Sequence, residues 1–267
     1  MNIFLDTTVL YRDPFLSQNL GSGLVKAARN RELRIYISEV VLEEAKRHYL
    51  RKVETPIVQL RKAIKDYNSV SLLPEIPIVL PELNEVAERF EAYYNELMMS
   101  NIVKIVPYDN NLLPELVHRS INRIKPFTDK KQEFRDGIIW LSYARLAETE
   151  DLTNCFFITN NTSDYFSGKR GGELHPDLKK DSKRFSLFKS LESLMFTDMY
   201  KEKEQNLQLI QWIENNDLDT DKLLELLEPF HNDFCEEASI YVNELSLEDA
   251  VGVYIPYGSV KLGFLGV

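Results

Sequence analysis

Ile3-Phe4-Leu5-Asp6-Thr7-Thr8-Val9-Leu10 stands at the head of the chain. Its three apolar residues read as a short strand over residues 2–6, and an aspartate sits where that strand stops. The same arrangement returns later. Cys155-Phe156-Phe157-Ile158-Thr159 is the clearest strand pattern in the sequence, and Asn160-Asn161-Thr162-Ser163-Asp164 follows it. Residues 34–38 and 101–106 read as further strands, and 185–188 as a last short one. Helical periodicity fills the intervals: 16–31 in spite of the Gly21-Ser22-Gly23 break, 39–67 with Pro56 kinking or breaking it, 82–99, 114–124, 132–148 and 190–196. Strands that alternate with helices predict an α/β fold built on a mostly parallel sheet with helices on both faces. Ligands bind such sheets beyond the carboxyl ends of the strands.

The chain has 267 residues, enough for a large core, and its 44% hydrophobic and 28% charged content is that of a globular protein. No apolar run reaches the length of a membrane span, and Met1 leads straight into a strand, so neither a membrane nor a secretory route is expected. Two cysteines do not make a disulfide framework, and Cys155 reads as a small buried hydrophobe, which fits a reducing cytoplasm. The net charge of −10 is unevenly spread. Residues 1–189 carry 28 Lys and Arg against 26 Asp and Glu, whereas residues 190–267 carry 4 against 16. Nearly all the acidity is in the last quarter, where two acidic helices are expected at 199–215 and 220–243, followed by a strand-like run at 252–267. The rest is near neutral with basic clusters at 26–34, 46–52, 61–65 and 179–184, a balance that admits a nucleic-acid partner.

Oxygen-bearing side chains stand where strands end or helices begin: Asp6, Glu44, Asp136, and the Asn161/Asp164 pair. A fold that gathers strand ends brings these oxygens together, and oxygen-rich clusters hold hard divalent cations such as Mg²⁺ or Mn²⁺. Each residue taken alone also suits an ordinary role. Asp6 can cap a helix, Glu44 can be a solvated helix position, Asp136 can complement a helix dipole, and Asn161 and Asp164 can serve a turn. Glu133 precedes Asp136 by three residues on the same helical face and reads as a surface charge. His48, His118, His175 and His231 show no zinc spacing. No phosphate-binding glycine loop and no serine-hydrolase elbow is present.

These residues, in this order, resemble the PIN-domain nucleases, in particular larger bacterial PIN-like proteins with a helical insertion. The resemblance covers about residues 1–196. Its first motif is Asp6-Thr7-Thr8 after an apolar strand. The second is Ser38 with Glu44 six positions on; the adjacent Glu43 fits the spacing less well. The third is Asp136 at the start of an apolar helix, and the fourth is the strand ending in Thr159 with Asn161 and Asp164 beyond it. The chain departs from the family pattern at Asn161, commonly an aspartate, and at Asp164, which falls one position late.

The resemblance implies a Rossmann-like (PIN-like) sheet in residues 1–196, with a helical insertion at about 45–125, and leaves 197–267 as an acidic, mainly helical extension. It implies endonucleolytic hydrolysis of RNA, single-stranded or structured, with Mg²⁺ or Mn²⁺. Asp6 is expected as the central ligand. Glu44 and Asp136 bind directly or through water, and Asn161 and Asp164 complete the shell; Asp6, Glu44, Asp136 and Asp164 are the expected catalytic set. Thr7, Thr8, Thr159 and Asn160 are expected behind them, with Lys130, Lys131 and Arg135 as phosphate contacts. Other expected partners are a second copy of the chain and a protein bound through the acidic segment. Two competing classes are a fold-retaining RNA- or protein-binding module without catalysis, for which Asn161 is the best argument, and a phosphatase of the haloacid-dehalogenase type. The latter chemistry wants a second aspartate where Thr8 stands.

Overall fold

Residues 2–5 are apolar on both sides of the pleat, as a strand covered on both faces of a parallel sheet requires. In the computed structural model of the chain they form β1 (Asn2–Leu5), the middle strand of the sheet. The structure describes residues 1–30, 33–70, 78–128, 133–167, 173–197, 201, 254–257 and 260–263. After β1 come α1 (Thr7–Arg12), α2 (Asn19–Arg29), β2 (Arg34–Ser38), α3 (Glu39–Val70), α4 (Leu83–Met99), β3 (Val103–Val106), α5 (Leu113–Asn122) and α6 (Phe134–Thr149). Next are β4 (Cys155–Ile158), α7 (Thr162–Tyr165), β5 (Phe166–Ser167), β6 (Glu173–Leu174), α8 (Pro176–Lys179), β7 (Phe185–Phe188) and α9 (Leu191–Met195). The sheet order is β3-β2-β1-β4-β7, and every pair in it is parallel. The α/β expectation therefore holds, with flanking helices around a five-stranded parallel sheet.

The chain runs outward from β1 to β2 and β3, then returns through α6 to β4 on the other side of β1. The carboxyl ends of β1 and β4 thus flank the point where the strand order reverses, the usual ligand-binding crevice of an open parallel sheet. Phe4 is fully buried there, stacked on Tyr36 at 4.5 Å and edge-on to Tyr143 and Phe185 at 5.0 and 4.9 Å. Tyr143, from α6, ties the strand ends together: its hydroxyl donates to the Leu5 carbonyl at 2.6 Å and accepts from the Ser38 amide at 2.7 Å. Cys155 is buried in β4 as a small apolar residue.

Three local readings change. The helix expected over 16–31 starts at Asn19, and a separate helix, α1, precedes it. Asp13 causes the interruption by accepting from the Ser17 amide at 3.0 Å and the Gln18 amide at 2.8 Å. The glycines are not a break. A Cβ on Gly21 would lie 2.4 Å from Asp13 Oδ2 and 2.8 Å from Leu16 Cα, so the close approach of this turn to α2 requires glycine. α3 is continuous through Pro56, an exposed position where the carbonyl left unpaired by the missing N–H is open to solvent.

Within residues 45–125 lie most of α3, then α4, β3 and α5, and β3 is the sheet's edge strand beside β2. α4 buries Val86, Phe90, Tyr94 and Leu97, and Phe15 joins Tyr49, Phe90 and Tyr93 in an aromatic cluster that holds α3 and α4 to the α1–α2 turn. Three histidines have local roles: His48 stacks on Tyr11, His118 meets Asn122, and His175 caps α8 by accepting from the Asp177 amide at 3.2 Å. The chain divides into two compact units, Met1–Thr197 and Asp198–Val267. In the second, β8 (Tyr254–Tyr257) and β9 (Val260–Gly263) form an antiparallel pair within the run read as strand-like. The helices expected at 199–215 and 220–243 lie outside the described residues, as do Lys130, Lys131 and His231.

Candidate metal centre

Asp6 is delivered by the end of β1 and occupies the N-cap position of α1, but its side chain does not cap the helix. The buried carboxylate instead accepts from two hydroxyls, Thr159 at 2.8 Å and Thr8 at 2.9 Å, both on Oδ2. Burial pushes its pKa up, and the two hydroxyls, with the nearby amides of Thr7 and Thr8, pull against that shift. Thr159 ends β4 and passes the network on by accepting from the Asn161 amide at 3.0 Å. Thr8 does the same for the Asn160 amide at 3.1 Å. Of the four residues expected behind the ligands, Thr8, Thr159 and Asn160 thus link the carboxyl ends of β1 and β4, and Thr7 turns its hydroxyl to Glu44 of α3 instead.

Asp136 comes from the first turn of α6. Gly137 beside it lets that turn press onto α5, where a Cβ would stand 2.8 Å from Leu116 Cδ2. Its carboxyl pKa rises to about 7, first through burial and then through the charges of Asp6, Glu133, Asp164 and Glu44. The Tyr165 hydroxyl reaches its carbonyl oxygen at 3.3 Å and Oδ1 at 3.4 Å. Asp164, in α7, is 1% exposed. Its Oδ1 accepts from the Ser163 hydroxyl at 3.1 Å, and its buried Oδ2 has no hydrogen-bond partner.

Oxygens of Glu133, Asp136 and Asp164 lie within 4.8 Å of one another and can hold a cation. Glu133 is the residue that sequence reasoning passed over as a surface charge. It occupies the position before α6, and the three-residue spacing from Asp136 was its only signal. Glu44 takes a different place. From the second turn of α3 it accepts from the Thr7 hydroxyl at 3.0 Å on Oε2 and pairs with Arg135 through Oε1. Arg135, expected as a phosphate contact, is thus engaged with a carboxylate of the site. Asn161 turns its amide nitrogen to Asp136 Oδ2 at 3.5 Å and its carbonyl oxygen to the Ser163 hydroxyl at 3.1 Å.

All donors here are oxygens, the set that suits Mg²⁺ or Mn²⁺ rather than zinc or copper. Buried carboxylates crowd together with their charge uncompensated, and one oxygen is left without a partner. Both features suit a divalent cation, because an unsatisfied buried carboxylate oxygen is otherwise costly.

A family model described as PIN domain matches residues 3–165. The chain belongs to the PIN-domain family. The match spans β1 through α7 and so takes in every carboxylate of the cluster. PIN domains are typically metal-dependent nucleases that bind a divalent metal at an acidic cluster and act on nucleic acid. No curated protein and no solved structure matches the chain. Among the described residues no helix is long and apolar enough to cross a membrane.

Proposed function

We propose that this PIN-domain chain is a Mg²⁺- or Mn²⁺-dependent endoribonuclease. The observation that carries the reading is the buried, partnerless Oδ2 of Asp164 in a group of carboxylates at the sheet's switch point. Asp6, Asp136 and Asp164 would hold the cation, with Glu133 beside them, Glu44 once it leaves Arg135, and Asn161 once its carbonyl oxygen turns inward. When bound, the cation lowers the pKa of a water and screens charge gathering on the phosphate oxygens.

The chain's own residues do the rest. Thr8 and Thr159 fix the orientation of Asp6, and Tyr165 fixes that of Asp136. Burial and the neighbouring carboxylates raise the Asp136 pKa to about 7, so proton and cation would compete for it near neutral pH and metal affinity would rise with pH. A phosphatase using Asp6 as nucleophile fits less well, since the Thr8 hydroxyl hydrogen-bonds Asp6 and offers no acid. We assign residues 1–196 as the nuclease unit, acting in the cytoplasm. Residues 197–267 are an acidic extension that limits RNA entry by competing for basic side chains or engages a partner, a second copy of the chain included.

The test is incubation with labelled structured and single-stranded RNAs, with and without Mn²⁺. Internal cleavage by the wild type only with metal, lost in Asp6→Asn, supports the assignment. Undiminished cleavage by Asp6→Asn overturns it. Deleting residues 198–267 tests the extension: tighter RNA binding with a steeper salt dependence supports gating, and unchanged binding discards it.

A further inference from the structure

A groove of about 620 Å³ opens beside the carboxylates and shares Glu44 and Arg135 with them. One wall is a stripe of α3, where Val40, Glu44 and Arg47 succeed one another at helical spacing, with Leu50 beyond. The lining also includes Tyr108, from the segment between β3 and α5, which is 46% exposed and takes no part in the aromatic stacks of the core. The volume is within the range of small-molecule sites, enough for a nucleotide.

The ion pair at the junction is lopsided. The Glu44 side chain is 15% exposed and that of Arg135 is 53% exposed. One nitrogen of the guanidinium pairs with Glu44, and the half-exposed planar group also lines the groove, a chemistry that suits a phosphate. Arg47 forms no ion pair among the described residues and adds a second cation to the same wall. Glu39 and Glu43 also line the groove, and Lys46 is tied to Glu91. The cationic surface is therefore local, sized for one phosphate rather than a long polyanion. A half-exposed tyrosine ring lining the same groove as apolar Val40 and Leu50 and a cationic spot matches an unpaired nucleotide: a flat base and a single phosphate.

We propose that the groove seats one nucleotide flanking the scissile bond of a single strand, its base on Tyr108 and its phosphate on Arg135, which turns from Glu44 to receive it. The proposal rests on the nuclease reading for what happens next, since the exchange frees Glu44 to face the cation. Tyr108 is then a residue that selects unpaired over paired substrate, because a base within a duplex cannot stack on a side chain.

Binding is measured by fluorescence anisotropy of a short labelled oligouridine, in the Asp136→Asn background with EDTA so that no cleavage intervenes. Tyr108→Ala is expected to weaken binding roughly ten-fold or more, and Tyr108→Phe to retain it. Arg135→Gln is expected to weaken binding and to reduce the salt slope by about 0.7. An oligomer of abasic sites binds the Tyr108-intact protein weakly and loses nothing further on Tyr108→Ala. Equal affinity of Tyr108→Ala and its parent overturns the proposal. So does displacement of the RNA by polyglutamate whose own binding depends on Tyr108 and Arg135, which makes the groove a protein site. The nuclease reading is scored separately by cleavage in Mn²⁺. An active wild type whose binding ignores Tyr108 sinks the groove alone. An inactive wild type that still binds through Tyr108 supports the groove and sinks the nuclease.

Discussion

Two clusters of buried charge lie one turn apart along α6. At Trp140, Asp181 takes the indole N–H on Oδ2 at 2.7 Å and pairs with Arg119 through Oδ1. The buried Arg119 also meets Glu115 at 2.7 Å and the Lys125 carbonyl at 3.0 Å. At Asp136, the neighbouring groups are further carboxylates, and Arg135 on the rim is committed to Glu44. The first cluster contains its own counter-charge and joins α5 to the segment before β7. The second carries charge of one sign, a partnerless oxygen and a carboxyl pKa raised to about 7. Burial of charge with satisfied partners is architecture. Burial of like charges together has no such internal compensation.

The largest effect is expected at the satisfied cluster. Arg119→Met leaves Asp181 buried without its cation and is expected to cost about 3–5 kcal/mol, a Tm loss on the order of 10 °C. Thermal denaturation checks it, and combining the change with Asp181→Leu should recover part of the loss. A drop within experimental error would mean that the network does not hold the fold.

Asp136→Asn should behave in the opposite way. Metal-dependent cleavage is expected to fall by roughly 100-fold or more, while stability in EDTA stays level or rises, because a repelled charge has been removed. Single-turnover cleavage and urea denaturation of the same preparation give both readouts. Loss of stability together with activity would put Asp136 in the same class as Asp181.

The pH dependence sharpens the contrast. The folded-state pKa of Asp136 stands near 7, above its ordinary value of 3.8, so the native state binds the proton more tightly than the unfolded chain. Its destabilising contribution is absent below about pH 3.8, grows through the interval and is complete above about pH 7. Stability in EDTA should therefore fall by a few kcal/mol, at most about 4, as pH rises across that window. Saturating Mn²⁺ or Asp136→Asn should remove most of the slope, which denaturation series at stepped pH would reveal.

The smallest change is expected from Asn161→Asp. It replaces an amide directed at Asp136 with a further anionic oxygen, and Mn²⁺ affinity by calorimetry should tighten several-fold, on the order of 1 kcal/mol. Unchanged affinity would leave Asp164 as the ligand supplied by the segment after β4.

Much of this was legible one residue at a time. Apolar runs ending at Asp6 and Thr159 marked two strands, because a parallel sheet buried on both faces needs continuous apolar strands, and the sheet sets those two side by side. Glu44, Asp136 and Asp164 could be picked out as carboxylates at helix starts, and the order of the motifs carried the family. What could not be read were features that depend on contacts distant in sequence. α1 is separated from α2 by an aspartate that accepts from two amides. Pro56 sits in an unbroken helix because its position faces water. Glu133 differs from any exposed glutamate only through where α7 lies.

The sequence by itself determined the main strands and helices, their parallel sheet and the residue types able to bind a hard cation, since periodicity and side-chain chemistry are local properties. The tertiary structure alone decided the company those side chains keep. Asp6 is held by two hydroxyls, Glu44 is turned to Arg135, Glu133 joins Asp136 and Asp164, and one oxygen of Asp164 is left without a partner. The physical reason is that burial and mutual repulsion act through space, between groups up to 153 positions apart in the chain, and no window of sequence contains both members of such a pair.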